Sequence, residues 1–421
     1  MPHDIADLRD LARTLYEAAI AAADPARALA RAWDKAPPDK ATGRTVLIAF
    51  GKAAPQMMQA ALARVEGAVD ALAVTHHENE MDVSGSRVMR AGHPVPDAAG
   101  AEAAQEVMRR LDAAGPDDRV IALVSGGGSA LLPAPVPPLT LADKQAVNEV
   151  LLAGGLDIVG TNLVRQQLSE LKGGGFLRRA APAPVTAYIL SDVIGDDLRV
   201  VASGPTSEPI GTPEEARHLL AEAGLWDRLP QAAKDRLESA TQKEPATPAR
   251  NHLIGSNRVS LEAMEETTER AGFAARIVSD HLTGDVGDAA REVLTHLATP
   301  DRPTALLFGG ETTVRLSGSG KGGRNQEMAL RIALAAPDHD WPWVFLSAGT
   351  DGRDGPTDAA GGIVDGGTAE RIRAAGGDAE ALLADNDSYR ALRLAGDLLQ
   401  VPATGTNVAD VQALLMVPGQ Q

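Results

Sequence analysis

Short apolar runs alternate with longer segments of helical periodicity along most of the chain. Apolar runs that end in glycine-, serine- or aspartate-rich turns predict buried strands, and apolar residues that recur every three or four positions predict helices. The predicted strands are Thr45–Phe50, Ala71–Thr75, Arg119–Val124, Val185–Leu190, Asn251–Ile254, Phe273–Val278, Ala305–Phe308, Thr312–Leu316, Val344–Leu346 and Ala413–Val417. This alternation predicts an α/β fold with mostly parallel sheets, in which ligands bind beyond the carboxyl ends of the strands.

One glycine-rich turn directly follows the predicted strand Arg119–Val124. It consists of Gly126, Gly127 and Gly128, flanked by Ser125 and Ser129. Three consecutive glycines let the backbone close on a phosphate or carboxylate, and the serines add hydroxyl donors. We therefore expect an anion site here, with a sharp crossover turn as the simpler alternative.

A second glycine-rich loop precedes a predicted helix and satisfies the dinucleotide pattern G-x-G-x-x-G with Gly318, Gly320 and Gly323. This pattern favours hydride transfer with NAD(P)H. Asp351 ends the next predicted strand, but it lies 28 residues past Gly323 (351 minus 323). The dinucleotide fold expects an acid after roughly 20 residues. Lys321 also occupies the loop, so the pattern alone is weak.

Phosphoryl transfer is the competing chemistry, since it needs cations on the transferred group, a metal ion and a carboxylate that orients the attacking hydroxyl. Lys52, Arg324 and Lys321 supply cations in predicted turns, and Asp192 and Asp351 supply carboxylates at strand ends. The sequence lacks the Walker A spacing and the protein-kinase motifs. A phosphotransferase with this sequence must therefore belong to another family.

The composition limits the classes of partner that the protein can bind. The 421 residues carry a net charge of −17, which argues against nucleic acid and anionic membranes and leaves a small-molecule substrate. The chain has no cysteine, its N-terminus does not resemble a signal peptide, and no apolar run is long enough to span a membrane. We expect a cytoplasmic protein. The sequence does not determine the oligomeric state, and a homodimer is kept as one option.

A set of longer motifs resembles one known family. These motifs span residues 51–407 and read GKAAPQM, GHPVPD, SGGGSALLPAP, NxVRxxLSxLKGGG, SDVIGDDLxxVASGPT, GGETTVxLxGxGKGGRNQE and SAGTDGRDGPTDAAGG. Together they resemble the glycerate 2-kinases, also called class II or MOFRL glycerate kinases. The resemblance implies phosphorylation of D-glycerate to 2-phosphoglycerate with ATP and Mg²⁺, and a hydroxypyruvate reductase that uses NAD(P)H is the alternative function.

The resemblance also implies two α/β domains with the active site in the cleft between them. We expect a Rossmann-like parallel sheet in residues 1–245 and a C-terminal α/β (MOFRL) domain in residues 246–421, with 242–250 as the linker candidate.

The same resemblance assigns roles to individual residues. Lys52 and Arg324 match basic residues implicated in catalysis, and we expect both to contact the substrate as domain closure assembles the site. Asp192 and Asp351 match acidic residues of the cleft, as candidates for orienting the hydroxyl or holding Mg²⁺. We expect the ATP phosphates on the loops at residues 125–129 and 318–323, and the glycerate carboxylate on Arg165. A non-catalytic sensor would not need this surplus of charged residues.

Overall fold

The structure is a computed structural model that describes residues 4–241 and 247–419. It divides into two compact units, which we call the central unit, Pro25–Ile254, and the terminal unit, Met1–Asp24 with Gly255–Gln421. The predicted boundary after residue 245 and the first part of the linker candidate fall on residues 242–246, outside the described residues.

Helices and strands alternate through both units. The helices are α1 (Ile5–Ala23), α2 (Pro25–Lys35), α3 (Ala54–Leu62), α4 (Ala98–Asp112), α5 (Gly128–Leu131), α6 (Leu141–Ala153), α7 (Ile158–Gln167), α8 (Gly175–Ala180), α9 (Pro213–Glu222), α10 (Gln231–Ser239), α11 (Asn257–Arg270), α12 (Val286–Leu294), α13 (Arg324–Ala335), α14 (Thr368–Ala374), α15 (Ala379–Ala384) and α16 (Ser388–Ala395). The strands are β1 (Thr45–Phe50), β2 (Val69–His76), β3 (Arg87–Ala91), β4 (Arg119–Val124), β5 (Val185–Leu190), β6 (Arg250–Gly255), β7 (Ala274–Asp285), β8 (Thr304–Thr313), β9 (Trp343–Gly349), β10 (Gly361–Asp365), β11 (Leu398–Leu399) and β12 (Asp410–Met416).

The first sheet has the strand order β3-β2-β1-β4-β5-β6. The strand pairs β2–β3, β1–β2, β1–β4 and β4–β5 are parallel. This is the strand order of the doubly wound dinucleotide-binding fold, in which the order reverses between β1 and β4 and the ligand lies beyond the carboxyl ends at that point. The expected Rossmann-like parallel sheet is confirmed. The strand predicted at Asn251–Ile254 joins this sheet as β6 rather than opening the second one.

The second sheet, in the terminal unit, has the order β11-β10-β9-β12-β8-β7 and is mixed. Only the edge pair β7–β8 is parallel among the pairs of the described residues, whereas β8–β12, β12–β9, β9–β10 and β10–β11 are antiparallel. The expectation of mostly parallel sheets is therefore wrong for this unit. Helices cover both faces of this sheet, which favours apolar runs in its central strands. The apolar runs of β8, β9 and β12 are therefore equally compatible with parallel and antiparallel pairing.

Helix α1 explains why the N-terminus belongs to the terminal unit. Its apolar stripe, which includes Leu8, Leu15 and Tyr16, packs on one face of the second sheet together with α11. Arg9 on the same helix donates to the buried carboxylates of Asp365 at 2.5 Å and Asp397 at 2.8 Å. This division therefore differs from the expected N-terminal domain, which would begin at residue 1. The sequence of an amphipathic helix does not reveal which sheet the helix covers.

A glycine pair lies inside β8, where the sequence predicted a turn between two strands. Gly310 has φ +149°, and a Cβ atom there would lie 2.2 Å from the Leu282 carbonyl oxygen. A Cβ atom on Gly309 would lie 1.9 Å from Asn257 Oδ1. These glycines allow close approach of neighbouring chain segments rather than a change of direction.

Within the described ranges, no helix combines the length and apolar character needed to cross a membrane.

Candidate functional site

Turns at the carboxyl edge of the first sheet carry the predicted site residues of the central unit. Lys52 follows β1, Gly126–Ser129 follow β4 and Asp192 follows β5. His93 follows β3 at the same edge, because these strands are parallel. We call Lys52, His93, Gly126–Ser129 and Asp192 the edge cluster.

Distances show that the members of the edge cluster are in contact. A Cβ atom on Gly127 would lie 3.1 Å from the His93 ring and 3.3 Å from Lys52 Cγ. A Cβ atom on Gly126 would lie 2.0 Å from Asp192 Oδ2. The glycines are therefore needed because the side chains of three other turns press against this loop.

Hydrogen bonds lock the two central turns together. The Lys52 N–H donates to the Gly126 carbonyl oxygen at 2.9 Å, and the Ala53 N–H donates to Ser125 Oγ at 3.1 Å. Gly51 has φ +124°, and a Cβ atom there would lie 2.1 Å from Ser125 Oγ. Ser125 is buried and holds the turn of Lys52, so its predicted contact with a cofactor has no support in this geometry.

The backbone of the loop after β4 offers free donors. The N–H groups of Gly126, Gly127, Gly128 and Ser129 form no hydrogen bond with any residue in the described ranges. Successive unpaired N–H groups in a tight turn form a concave site for anions. This matches the sequence prediction of an anion site better than the crossover-turn alternative.

Burial and the Lys52 ammonium set the protonation of the edge cluster. Burial, together with the charges of Lys52 and His76, lowers the pKa of His93 to about 4, so the imidazole is neutral at neutral pH. Burial raises the pKa of Asp192 above its usual value, an effect that Lys52 opposes. His93 was not among the sequence-predicted site residues. Strand β3, which places His93 at this edge, was not among the predicted strands either, so no signal in the sequence indicated that this histidine joins the cluster.

Arg165 lies on α7 and is partly buried. Its Nε donates to Asn148 Oδ1 at 2.9 Å, and burial lowers the pKa of its guanidinium. Its predicted role in binding the substrate carboxylate stays a prediction.

Arg324 begins α13 in the terminal unit and is paired with two carboxylates. Its Nε donates to Asp410 Oδ2 at 2.6 Å and its Nη2 to Asp410 Oδ1 at 3.0 Å. Its Nη1 lies 2.9 Å from Glu311 Oε1. The Asp410 side chain is 1% exposed, so the bidentate pair fixes the guanidinium, while Glu311 is half-exposed.

Asp351 lies beside this pair. A Cβ atom on Gly349 would lie 3.2 Å from Asp351 Oδ1 and 3.5 Å from Asp410 Oδ1. The Tyr16 hydroxyl donates to the Gly349 carbonyl oxygen at 2.8 Å, and its pKa is raised by burial and by both carboxylates. We call Glu311, Arg324, Asp351 and Asp410 the Arg324 cluster.

Asp354 caps α13 and was missed by sequence reasoning. Its carboxylate accepts from the N–H groups of Asn325 at 3.1 Å and Gln326 at 2.8 Å. Burial raises its pKa to about 7 although these bonds oppose the shift. A Cβ atom on Gly323 would lie 2.3 Å from this carboxyl group, so Gly323 makes room for the cap that orients Arg324.

The second glycine-rich loop does not present its backbone to a ligand. Its N–H groups donate to the loop after α15: Ser317 and Gly318 to Asn386 Oδ1 (2.7 and 2.9 Å), Ser319 to Asp385 Oδ1 (2.9 Å), Gly320 to the Asp385 carbonyl oxygen (2.9 Å) and Lys321 to Asp387 Oδ1 (3.2 Å). The Lys321 ammonium lies 4.8 Å from the centre of the Tyr389 ring. Protein acceptors already occupy the N–H groups of residues 317–321, so phosphate binding by the backbone of Gly318, Gly320 and Lys321 has no support in this geometry. Phosphate binding by this loop, including Gly323, stays a prediction.

A metal site formed by protein side chains alone is absent from the described residues, in which no group of three or more His, Asp or Glu side chains could hold an ion. The two predicted metal ligands, Asp192 and Asp351, belong to different units.

Comparison with known proteins identifies the family. A domain of unknown function, DUF4147, matches residues 11–238, and the MOFRL family matches residues 304–410. A Pyrococcus horikoshii protein named glycerate 2-kinase is 37% identical and the match covers 96% of both chains. A Thermotoga maritima protein named D-glycerate 2-kinase is 38% identical and the match covers 98% of this chain and 100% of the relative. The chain belongs to the glycerate 2-kinase family.

The fold agrees with this assignment. The crystal structure of glycerate kinase from Thermotoga maritima aligns with a TM-score of 0.91 at 37% identity, and covers 98% of this chain and 100% of that one. An Agrobacterium vitis protein, 36% identical over 97% of this chain and 94% of its own length, carries a provisional hydroxypyruvate reductase name. The family and the two-sheet α/β architecture expected from the motifs are thereby confirmed.

Proposed function

We propose that the protein transfers the terminal phosphoryl group of ATP to the 2-hydroxyl of D-glycerate and releases 2-phosphoglycerate and ADP. Membership of the glycerate 2-kinase family supports the reaction class, and a kinase requires a nucleotide. The observation that carries the proposal is the row of free N–H groups of Gly126–Ser129 beside Lys52 and Asp192. Such a row suits a polyanionic phosphate chain.

The phosphates of ATP bind to the loop Gly126–Ser129 in this proposal. Its N–H groups donate to phosphate oxygens. The Lys52 ammonium neutralises charge on the transferred group, from a turn whose backbone is tied to this loop by the bond from the Lys52 N–H to the Gly126 carbonyl oxygen. The loop that contains Gly318 and Gly320 is left out, because its N–H groups are already paired.

Asp192 accepts the proton of the attacking hydroxyl. The glycerate 2-oxygen forms a bond to the γ-phosphorus as the bond from that phosphorus to the β–γ bridging oxygen breaks, and the hydroxyl proton passes to the carboxylate. The neutral His93 lies against the same loop and adds no charge that would repel Lys52.

Arg324 stabilises negative charge on the transferred group from the terminal unit. Its pair with buried Asp410 orients the guanidinium, whereas its contact with half-exposed Glu311 can be exchanged for a phosphate oxygen. Lys52 and Arg324 are thus the two cations of the proposed reaction.

Mg²⁺ fits the residues present if the nucleotide supplies most of its ligands. Mg²⁺ is usually bound by one or two carboxylates together with substrate phosphates and water. Asp192 and Asp351 are the candidate carboxylates, and the bound ion would neutralise phosphate charge.

The test combines the purified protein with D-glycerate, ATP and Mg²⁺ and identifies the products by phosphorus NMR. We expect ADP and 2-phosphoglycerate. Formation of 3-phosphoglycerate would overturn the assignment of the 2-hydroxyl, and the absence of phosphoryl transfer would overturn the proposal. A parallel assay with hydroxypyruvate and NADH or NADPH tests the reductase alternative.

A further inference from the structure

Three cations of the central unit are buried together without a carboxylate partner. Lys144 on α6 is 4% exposed, Lys172 before α8 is 3% exposed, and Arg165 on α7 is partly buried. Burial, with the charge of Arg165, lowers the pKa of Lys144 to about 8. Burial and the charges of Lys144 and Arg165 lower the pKa of Lys172 well below its usual value. Across the described ranges, no carboxylate lies within ion-pair distance of any of the three.

The hydrogen bonds of Lys172 are already made. Its Nζ donates to the Ser129 carbonyl oxygen at 2.8 Å and to Ser129 Oγ at 2.6 Å, and Ser203 Oγ lies 3.5 Å away. Ser203 in turn donates to Asn162 Oδ1 at 2.5 Å. Lys172 therefore fixes Ser129, the last residue of the loop with free N–H groups.

The donors of the other two cations remain open. The Lys144 ammonium forms no hydrogen bond to a residue of the described ranges, and Arg165 uses only its Nε, toward Asn148. A buried ammonium without an acceptor or counter-ion is strongly destabilising, and apolar side chains of similar size would fill the same space without that cost. An anionic ligand is the partner that would offset the charge.

We infer that the Lys144 ammonium and the Arg165 guanidinium bind the carboxylate of the hydroxy-acid substrate. Lys172 supports this subsite by holding Ser129 through its hydrogen bonds. The planar fork of an arginine matches a carboxylate, and Ser129 links this subsite to the loop proposed for phosphate. The inference rests on the proposed function for the identity of the acid. Lys144 and Lys172 were not among the sequence-predicted site residues.

Binding in the absence of nucleotide tests the subsite directly. The full chain and its Lys144→Met and Arg165→Gln variants are titrated with D-glycerate, glycerol and inorganic phosphate by calorimetry. Arg119→Gln is the matched control, because Arg119 is a partly buried arginine with a pKa lowered by burial at the opposite end of β4. We expect each subsite variant to weaken D-glycerate binding by about 100-fold or more, and the control to bind like the wild type.

Thermal unfolding gives a second readout that a purely structural role would not produce. Without ligand, Lys144→Met should melt a few degrees higher than the wild type, since a buried charge is removed, and D-glycerate should no longer raise its melting temperature. In turnover assays, the ratio of kcat/KM for D-glycerate over glycerol should fall in both variants, because only D-glycerate carries the carboxylate.

The outcomes separate the two proposals. Unchanged D-glycerate binding in both variants would overturn the carboxylate subsite even if the wild type is an active kinase. Loss of inorganic phosphate binding in the variants, with D-glycerate binding intact, would reassign the subsite to phosphate. Weaker D-glycerate binding in the variants of a protein that transfers no phosphoryl group would support the subsite and reject the proposed kinase function.

Discussion

The carboxylate of Asp192 lies so close to Gly126 that a Cβ atom at residue 126 would be 2.0 Å from Asp192 Oδ2. Gly126 does not have a positive φ, so an alanine could adopt its backbone conformation. An alanine is disfavoured there only because its methyl group would have no room. The contact makes the glycine a direct test of the edge cluster, because a single methyl group would displace the proposed proton acceptor.

Gly126→Ala should lower kcat/KM by about 100-fold or more while the protein remains folded, since misplacing a reacting group by about 1 Å has effects of this size. Steady-state kinetics and melting temperature provide the measurement. Gly115→Ala is the control, because a Cβ atom there would meet only Asp118 Oδ2 at 4.0 Å. Wild-type activity in Gly126→Ala would exclude Asp192 from the reaction.

Lys52→Met should lower kcat by about 1,000-fold, because it removes the positive charge proposed to stabilise the transferred phosphoryl group. Methionine fills about the same space as lysine. It should also raise the pKa of His93, which the Lys52 ammonium lowers. The imidazole signals of wild type and variant are followed by NMR across pH. Lys40→Met, at an exposed lysine of the same unit, should change neither quantity. A His93 titration that is the same in wild type and Lys52→Met would contradict the close contact of these residues.

The first sheet could be predicted from the sequence because its signals are local. Each strand of β1, β4 and β5 is a short apolar run, and each is followed at once by a turn with charged or glycine residues. The parallel arrangement then brings Lys52, Gly126 and Asp192 to one edge without any further information. Most of the edge cluster follows from this rule alone.

The remaining features depend on contacts between distant segments, which local patterns do not encode. The loop at residues 317–321 has the composition of a phosphate-binding loop, yet its N–H groups bind the loop at 385–387. Asp410 pairs with Arg324 from 86 positions away. The antiparallel pairing of β12 and the packing of α1 on the second sheet are likewise non-local.

Arg324→Lys should reduce kcat by about 100-fold, since a lysine cannot keep both hydrogen bonds to Asp410 while facing a phosphate. Arg331→Lys on the same helix is the matched control: Arg331 also donates two hydrogen bonds to one carboxylate, that of Glu327. Its activity should stay near that of the wild type. Kinetics at saturating ATP distinguish the two variants, and equal losses in both would indicate damage to α13 rather than a role for Arg324 in the reaction.

Asp354 should make the folded state less stable as pH rises. Its pKa is about 7 in the folded protein, above the usual aspartate value of 3.8, so between these values the folded state binds a proton that the unfolded state has lost. The free energy of unfolding therefore falls with pH over this window, by about 2 kcal/mol between about pH 5 and pH 7 for this group alone. Asp354→Asn should keep an acceptor for the first turn of α13 and remove this part of the slope.

Urea unfolding of wild type and Asp354→Asn at about pH 5 and about pH 8 measures the effect as a difference of differences, since other buried carboxyl groups such as Asp410 contribute to both proteins. We expect the stability gap between the two proteins to shift in favour of the variant at the higher pH. An equal pH slope in both would mean that Asp354 is ionised throughout the window, held as an anion by the N–H groups of Asn325 and Gln326.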